Sequence, residues 1–137
     1  MKFGDFEFVD LADLTAHYQY DLACPVNIMG EIDLPQVARH GQDGSSRPEL
    51  VNALAPTLAV LNKGAEMEGL ANARAIPGLQ DVWQIHETER IPRLNSVEDL
   101  LANINGGHEN LIFASIPSSE FTLRNHRNNF SKSYPVK

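Results

Sequence analysis

One segment decides the fold prediction for this chain: Val37-Ala38-Arg39-His40-Gly41-Gln42-Asp43-Gly44-Ser45-Ser46. An apolar run precedes it and a helix-start signal follows it. This order predicts the end of a strand, a loop of small and polar residues, and then a helix. His40 therefore leaves the tip of a strand and faces whatever lies above that edge of the sheet. Because binding residues concentrate in loops carried by a rigid scaffold, His40 is the first candidate for a functional side chain.

Working outward from this segment, the strand and helix patterns alternate. Runs of apolar or alternating residues predict strands at positions 6–12, 31–37, 57–62, 81–86, 111–116 and 120–124. Helix patterns lie between them, at 46–56, at 70–76 and from Ser96 to the stop signal Asn105-Gly106-Gly107. The order strand, strand, helix, strand, helix, strand, helix, hairpin predicts an α/β protein, with a mixed β-sheet and flanking helices. The length of 137 residues predicts one domain, 1–137.

Several local signals refine these elements. Gly4-Asp5 has the composition of a hairpin turn before the first long strand. Residues 15–22 fit either a short helix or a loop. Pro35 predicts an edge position or a bend for its strand, because proline has no N–H to donate. Ser46 is the predicted N-cap of the helix that follows, with Pro48 near its first position.

Composition and charge limit the classes of function. The formal net charge of −7 argues against nucleic acid as a partner, since phosphate would be repelled. A mildly basic C-terminal group, Arg124, Arg127, Lys132 and Lys137, is expected to be solvated surface. With Cys24 as its single cysteine the chain forms no internal disulfide, and we expect a cytoplasmic protein. We find no apolar signal core and no run of about 20 apolar residues that would span a membrane.

Asp13 and His40 form the strongest pair of chemically useful residues. Each follows an apolar run and opens a loop. If the two strands are neighbours in one sheet, their ends meet at one edge. Carboxylate and imidazole groups placed there suit zinc or a similar metal. The alternative is that Asp13 caps a turn and His40 is a surface loop residue.

The remaining candidates are weaker. A catalytic zinc site needs about three protein ligands, and the chain has neither a His-x-His nor a His-x-x-x-His pair. His17, His86, His108 and His126 are isolated and are expected to be structural or exposed; His86 is the best of them because it ends a strand. We interpret Ser45 and Ser46 as capping residues and Cys24 as a packing residue.

A series of short motifs occurs in a fixed order along the chain. The motifs are Asp13-Leu14-Thr15, Cys24-Pro25-Val26-Asn27, Ile32-Asp33, Arg39-His40-Gly41, Ser46-Arg47-Pro48-Glu49-Leu50 and Ala53-Leu54-Ala55-Pro56, followed by the segments 77–86 and 125–134. The last of these, Asn-x-Arg-Asn-x-Phe-Ser-Lys-x-Tyr, is rather specific. Together they resemble the second half of metallo-β-lactamase-fold hydrolases, of the type related to the hydrolase domain of DNA-uptake competence proteins. The resemblance covers essentially the whole chain.

The resemblance implies roles for particular residues. Asp13 matches the aspartate that bridges two metal ions in the family. His40 matches the second histidine of a His-His-Gly loop whose histidine binds one of these ions, and Arg39 stands where the first histidine would be. The implied fold is the second half of the αββα sandwich. The implied activity is zinc-dependent hydrolysis of ester or phosphoester bonds, including those of a small-molecule substrate.

The resemblance also implies that a part is missing. The family's His-x-His-x-Asp-His motif belongs to the first half of the fold, and this chain begins after it. We therefore expect an incomplete hydrolase that is inactive or weakly active alone. An apolar sheet face should be covered by a homodimer partner, by a chain supplying the missing half, or by rearrangement. The alternative is a non-catalytic homodimeric or interaction module that retains the fold; a third interpretation is a fragment with no selected function.

Overall fold

The computed structural model describes residues 1–42, 44–62, 67–117 and 119–137, and no side-chain detail is given for residues 67 and 68. Its strands are β1 (Lys2–Phe3), β2 (Phe6–Asp10), β3 (Leu34–Gln36), β4 (Leu58–Leu61), β5 (Asp81–His86), β6 (Leu101–Asn103), β7 (Ile112–Ser115), β8 (Glu120–Asn125) and β9 (Ser131–Pro135). Its helices are α1 (Ala16–Ala23), α2 (Pro48–Leu54) and α3 (Met67–Arg74). Short 3-10 turns occupy Ala38–Gly41, Pro92–Leu94 and Glu98–Leu100.

A six-stranded mixed sheet forms the centre of the fold, in the order β1-β2-β3-β4-β5-β6. β1 is antiparallel to β2 across the predicted Gly4-Asp5 turn, and β2 to β6 are parallel. All four residues of β4 are buried, as its continuous apolar run predicts. The predicted α/β class with a mixed sheet and helices is therefore confirmed. Since β2 to β5 are parallel and adjacent, the loops that follow them leave the sheet at one edge.

A second sheet, β7-β8-β9, is antiparallel and packs on one face of the central sheet. The shared core contains Phe6, Leu34, Leu58, Val60, Trp83, Leu100, Phe121, Leu123 and Tyr134. The ring centres of Phe6 and Phe121 lie 5.0 Å apart across this contact. This face of the central sheet is thus covered by strands of the same chain.

The helices cover the opposite face. α3 contributes Leu70 and Ala73 to a cluster with Ala59 and Leu61 of β4 and with Val82 of β5. α1 and α2 pack against each other and against the β2 end of the sheet in a third cluster, which contains Val9, Ala23, Ile32, Leu50 and Leu54. In β4, Leu58 and Val60 thus face the small sheet while Ala59 and Leu61 face the helices, which is the period-two alternation of a strand.

A buried polar network joins the two sheets. Tyr134 of β9 accepts a hydrogen bond from Trp83 Nε1 (2.8 Å) and donates one to Asp81 Oδ2 (2.7 Å). Lys132 Nζ reaches the same Asp81 oxygen at 2.5 Å. Burial, followed by the hydrogen bond to Asp81, raises the pKa of Tyr134 well above its usual range. The tyrosine therefore stays neutral and serves both partners.

Asn125 makes a similar link near the other end of β8. Its buried side chain donates to the carbonyls of Asp99 (2.8 Å) and Leu101 (3.0 Å). Arg127 Nε also donates to the Leu101 carbonyl, at 3.1 Å. The C-terminal motif of residues 125–134 therefore holds the small sheet against β6 and β5.

Tyr134→Phe tests the network. The substitution leaves Trp83 Nε1–H without its acceptor and removes a donor from Asp81, so we expect a loss of about 1–3 kcal/mol in the free energy of unfolding. Urea denaturation followed by circular dichroism measures it. Tyr18→Phe, at a residue that is 58% exposed, should change stability by less than about 0.5 kcal/mol. Equal effects of the two substitutions would contradict this role of Tyr134.

Two predictions about strands and proline need correction. Pro35 is not at an edge, because β3 lies between β2 and β4. The residues on either side supply the links instead: Asp33 N donates to the Glu7 carbonyl of β2 (3.0 Å), and Val37 N donates to the Val60 carbonyl of β4 (2.8 Å). The first long strand also ends early, at Asp10, so Asp13 lies in a turn beyond it.

The helix predicted from Ser96 is wrong. Ser96 Oγ donates to the Val82 carbonyl (2.7 Å) and Ser96 N to Gln84 Oε1 (3.0 Å), which ties this segment to β5. After the 3-10 turn, Leu101 begins β6, which pairs in parallel with β5. Leu100 and Leu101 are both buried, and the pairing of Leu101 with Gln84 of β5 overrides the local helix pattern.

Other boundaries differ by smaller amounts. Ser46 is not the N-cap of α2: it has φ 52°, and Arg47 takes the cap position, with its N–H bound to Gln19 Oε1 at 3.1 Å. Pro48 begins the helix, as predicted. The segment 63–69 lies between the strand predicted at 57–62 and the helix predicted at 70–76; its positions 63–66 lie outside the described residues, and the rest belongs to α3. The predicted terminal hairpin has a third strand, β9. None of the helices in the described ranges is long and apolar enough to cross a membrane.

Candidate functional site

Four polar side chains collect at the carboxyl edge of the parallel strands. Asp13 follows β2, His40 follows β3, Asn62 follows β4, and His86 is the last residue of β5. Ligands of open α/β sheets bind at this edge, outside the carboxyl ends of the strands. The parallel order of these strands is thus what gathers residues that are distant in sequence.

The loops that carry Asp13 and His40 are tied together through their backbones. Arg39 N donates a hydrogen bond to the Ala12 carbonyl at 2.7 Å, and Ala12 N binds Asp10 Oδ1 at 2.8 Å. Ala12, Arg39 and His40 all have positive φ, at 45°, 50° and 58°. Non-glycine residues adopt this left-handed region at a cost, and such strain is concentrated at functional sites.

Helix α3 supports the His40 loop from below. Gly69 lies so close to it that an added Cβ would fall inside the contact distance of the Gly41 carbonyl and within 2.5 Å of Ser45 Oγ. Only glycine permits this approach, because the neighbouring atoms include backbone that cannot swing away. Gly69 therefore fixes the height of the loop above the sheet.

Gly69→Ala should destabilise the protein by about 1–3 kcal/mol, because the added methyl group overpacks the contact with Gly41. In a helix without such a contact, alanine stabilises the protein relative to glycine by roughly 0.5–1 kcal/mol. A decrease in the free energy of unfolding of Gly69→Ala therefore indicates the clash. Urea denaturation measures the effect. Ala71→Gly, at an exposed position of the same helix, measures the effect of helix propensity alone on the free energy of unfolding. A stabilised Gly69→Ala variant would contradict the close approach.

Asp13 and His40 are brought face to face. Asp13 Oδ1 lies 3.5 Å from His40 Nε2, with the two side chains 78% and 42% exposed. On its other side, His40 Nδ1 lies 2.7 Å from Asn62 Oδ1. Because an amide oxygen only accepts, Nδ1–H is the donor in this contact, and Nε2 faces Asp13. An imidazole that is oriented through one ring nitrogen in this way can offer the other nitrogen to a metal ion.

The Asp13–His40 spacing fits a zinc ligand pair. Two ligands of a tetrahedral zinc ion at about 2.0–2.2 Å are roughly 3.3–3.5 Å apart. Within the described ranges, however, no three His, Cys, Asp or Glu side chains form a group that could hold a metal. The arrangement therefore fits two ligands of a site that needs at least one more.

The guanidinium of Arg39 lies beside Gly44, where an added Cβ would be 3.6 Å from its Nη1.

A second imidazole pair lies in the same region. The ring centres of His86 and His108 are 5.2 Å apart, at an interplanar angle of 54°. Both line an open cleft of about 570 Å³ together with His40, Asn62 and Arg90. Burial, and then the charge of His108, lowers the pKa of His86, while a hydrogen bond to the backbone of Gly107 opposes this lowering of the pKa.

The other candidates from the sequence lie elsewhere. His17 pairs with Asp21 on α1 at 3.7 Å, and His126 makes an edge-on contact with Phe113. Cys24 packs against the cluster around α1 and α2, as expected. Ser45 is buried beside Gly69 and is not an N-cap.

Sequence reasoning did not single out Asn62 and placed His108 among the isolated histidines. Asn62 directly follows the buried strand β4, in the position that Asp13 and His40 suggested for site residues, so strand-end position was a usable signal. His108 had no such signal: it comes near His86 only because β6 pairs with β5, and β6 was mistaken for a helix. In comparisons with known proteins, no family model, no curated protein and no solved structure matches this chain.

Proposed function

We propose that this chain is the second half of a metallo-β-lactamase-fold hydrolase, and that Asp13 and His40 are two ligands of its zinc site. The motif resemblance along the chain supplies the family hypothesis. The observation that carries it is the 3.5 Å approach of Asp13 Oδ1 to His40 Nε2, with Nδ1 engaged by Asn62. In the chain alone these two residues would hold the ion weakly, with water in the remaining positions, and a further protein ligand would tighten it.

The residues have distinct roles in the proposed chemistry. Asp13 supplies a negative charge and an oxygen ligand, His40 supplies a neutral nitrogen, and Asn62 orients the His40 ring. Zinc, when bound, supplies Lewis acidity and generates a nucleophile from water at neutral pH. Arg90, in the wall of the same cleft, is a donor suited to the anionic oxygens of a phosphoester.

The proposed hydrolase is incomplete by ligand count, so it is inactive or weakly active alone. Its complement is a second copy or a chain carrying the first half of the fold. The free edge of the small sheet supports such an association: among the described strands β7 pairs only with β8, and both Leu111 and Phe113 beside this edge are about half exposed. Unpaired edges of this kind accept a further strand.

Zinc titration by calorimetry tests the proposal on tag-free protein. We expect Asp13→Asn and His40→Ala each to remove one zinc equivalent or weaken it at least about tenfold, and Asn62→Ala to weaken it by roughly 10–100-fold because it only orients the ring. Asp13 and His40 are exposed enough for the variants to fold, which circular dichroism verifies.

His126→Ala is the matched control, since His126 is exposed on the opposite sheet and contacts Phe113. It should leave zinc binding unchanged. If Asp13→Asn and His40→Ala bind zinc as the unmodified chain does, the proposed site is wrong.

The competing function is a non-catalytic homodimeric or interaction module. The exposed apolar side chains beside β7 favour it as much as they favour a missing half. The two proposals separate in the same zinc titration, because an interaction module shows no zinc equivalent that depends on Asp13 and His40.

A further inference from the structure

The pair His86 and His108 is held in place by a buried side chain. Asn103 donates to the Ile85 carbonyl (2.9 Å) and to the Asn110 carbonyl (2.8 Å), and it accepts a hydrogen bond from Asn110 N (2.8 Å). It thereby joins the end of β5, which carries His86, to the loop that carries His108. The side chain of Asn103 is almost fully buried, so these bonds are shielded from water.

A second link closes the same corner. Glu87 N donates to the Asn103 carbonyl (3.0 Å), and the Glu87 carboxylate accepts the N–H of Asn105. These hydrogen bonds therefore hold together the two segments that carry His86 and His108. Side chains that are already oriented before an ion binds lose less conformational freedom on binding.

The spacing of the two rings fits the binding of one metal ion between them. Two imidazoles bound to one tetrahedral ion at about 2.0–2.1 Å have ring centres roughly 5 Å apart, and the observed separation is 5.2 Å. The two imidazoles line the same open cleft, so an ion between them is reachable from solvent. Imidazole is a ligand for zinc, copper, nickel and iron rather than for magnesium or calcium.

We propose that His86 and His108 form a second metal site, which binds a divalent transition metal ion of the zinc class. The site has two protein ligands and opens on the cleft that it shares with His40. Water or an oxygen of a bound molecule completes the coordination. Because Asp13 and His40 contribute no ligand to it, this site does not depend on the proposed hydrolase function.

The experiment removes one site and keeps the other. In a tag-free Asp13→Asn/His40→Ala double variant, calorimetric titration with zinc chloride should still give one equivalent. Adding His108→Ala should weaken this equivalent at least about tenfold, and adding His86→Ala should have the same effect. His108 is exposed on a loop, so its truncation leaves the core intact if the His86 variant does not fold.

His17→Ala is the control in the same background, because His17 is also an exposed imidazole, 79% accessible and near the carboxylate of Asp21. It should leave the remaining zinc equivalent unchanged. Ring-nitrogen NMR signals of His86 and His108 should shift together during the titration.

Two results would overturn the inference: no zinc bound by the double variant, or zinc binding that is indifferent to both His86→Ala and His108→Ala. Failure of the proposed function gives a different result. The unmodified chain would then show no zinc equivalent that depends on Asp13 and His40, while the equivalent that depends on His86 and His108 would remain.

Discussion

The hydrogen bond from Arg39 N to the Ala12 carbonyl is the constraint on which the candidate site depends. It joins the loop after β3 to the turn after β2, at 2.7 Å. Asp13 is largely exposed and His40 is partly exposed, so the interaction between their side chains across 3.5 Å is weak by itself. The backbone link, together with three left-handed residues, sets their separation instead. The bond uses the main chain of Arg39, so it does not depend on the side chain at this position.

Parallel pairing extends this constraint across the sheet. β2 to β5 deliver Asp13, His40, Asn62 and His86 to one edge, and the buried clusters on both faces keep the strands in register. The small sheet covers one face through Trp83 and Tyr134, and the helices cover the other. The central sheet is thus buried on both faces by elements of the same chain.

The sequence predicted the elements that depend on local patterns. β4 and β5 follow directly from a continuous apolar run and from alternation, and Gly4-Asp5 marks its turn by composition alone. The candidate pair Asp13 and His40 was found because both follow strand-like runs. Elements that depend on pairing were missed: β6 follows a helix-start pattern at Ser96, and β9 lies in a polar tail. Pro35 predicted an edge position or a bend because proline has no N–H to donate, whereas the structure pairs this strand on both sides through the amides of Asp33 and Val37.

The site was predicted less completely than the fold for the same reason. Asn62 becomes important only because its amide oxygen meets His40 Nδ1, which no spacing in the sequence encodes. His108 meets His86 only through β6 and the hydrogen bonds of Asn103. Strand-end position thus finds candidate residues, whereas the partners that orient them depend on tertiary contacts.

Anomalous diffraction at the zinc edge, from crystals grown with zinc chloride, tests the central claim most directly. The account predicts a peak between Asp13 Oδ1 and His40 Nε2, within about 2.0–2.2 Å of both atoms, with Nδ1 still bound to Asn62. A crystal with zinc at other positions, and with Asp13 and His40 contacting only each other or water, would contradict it.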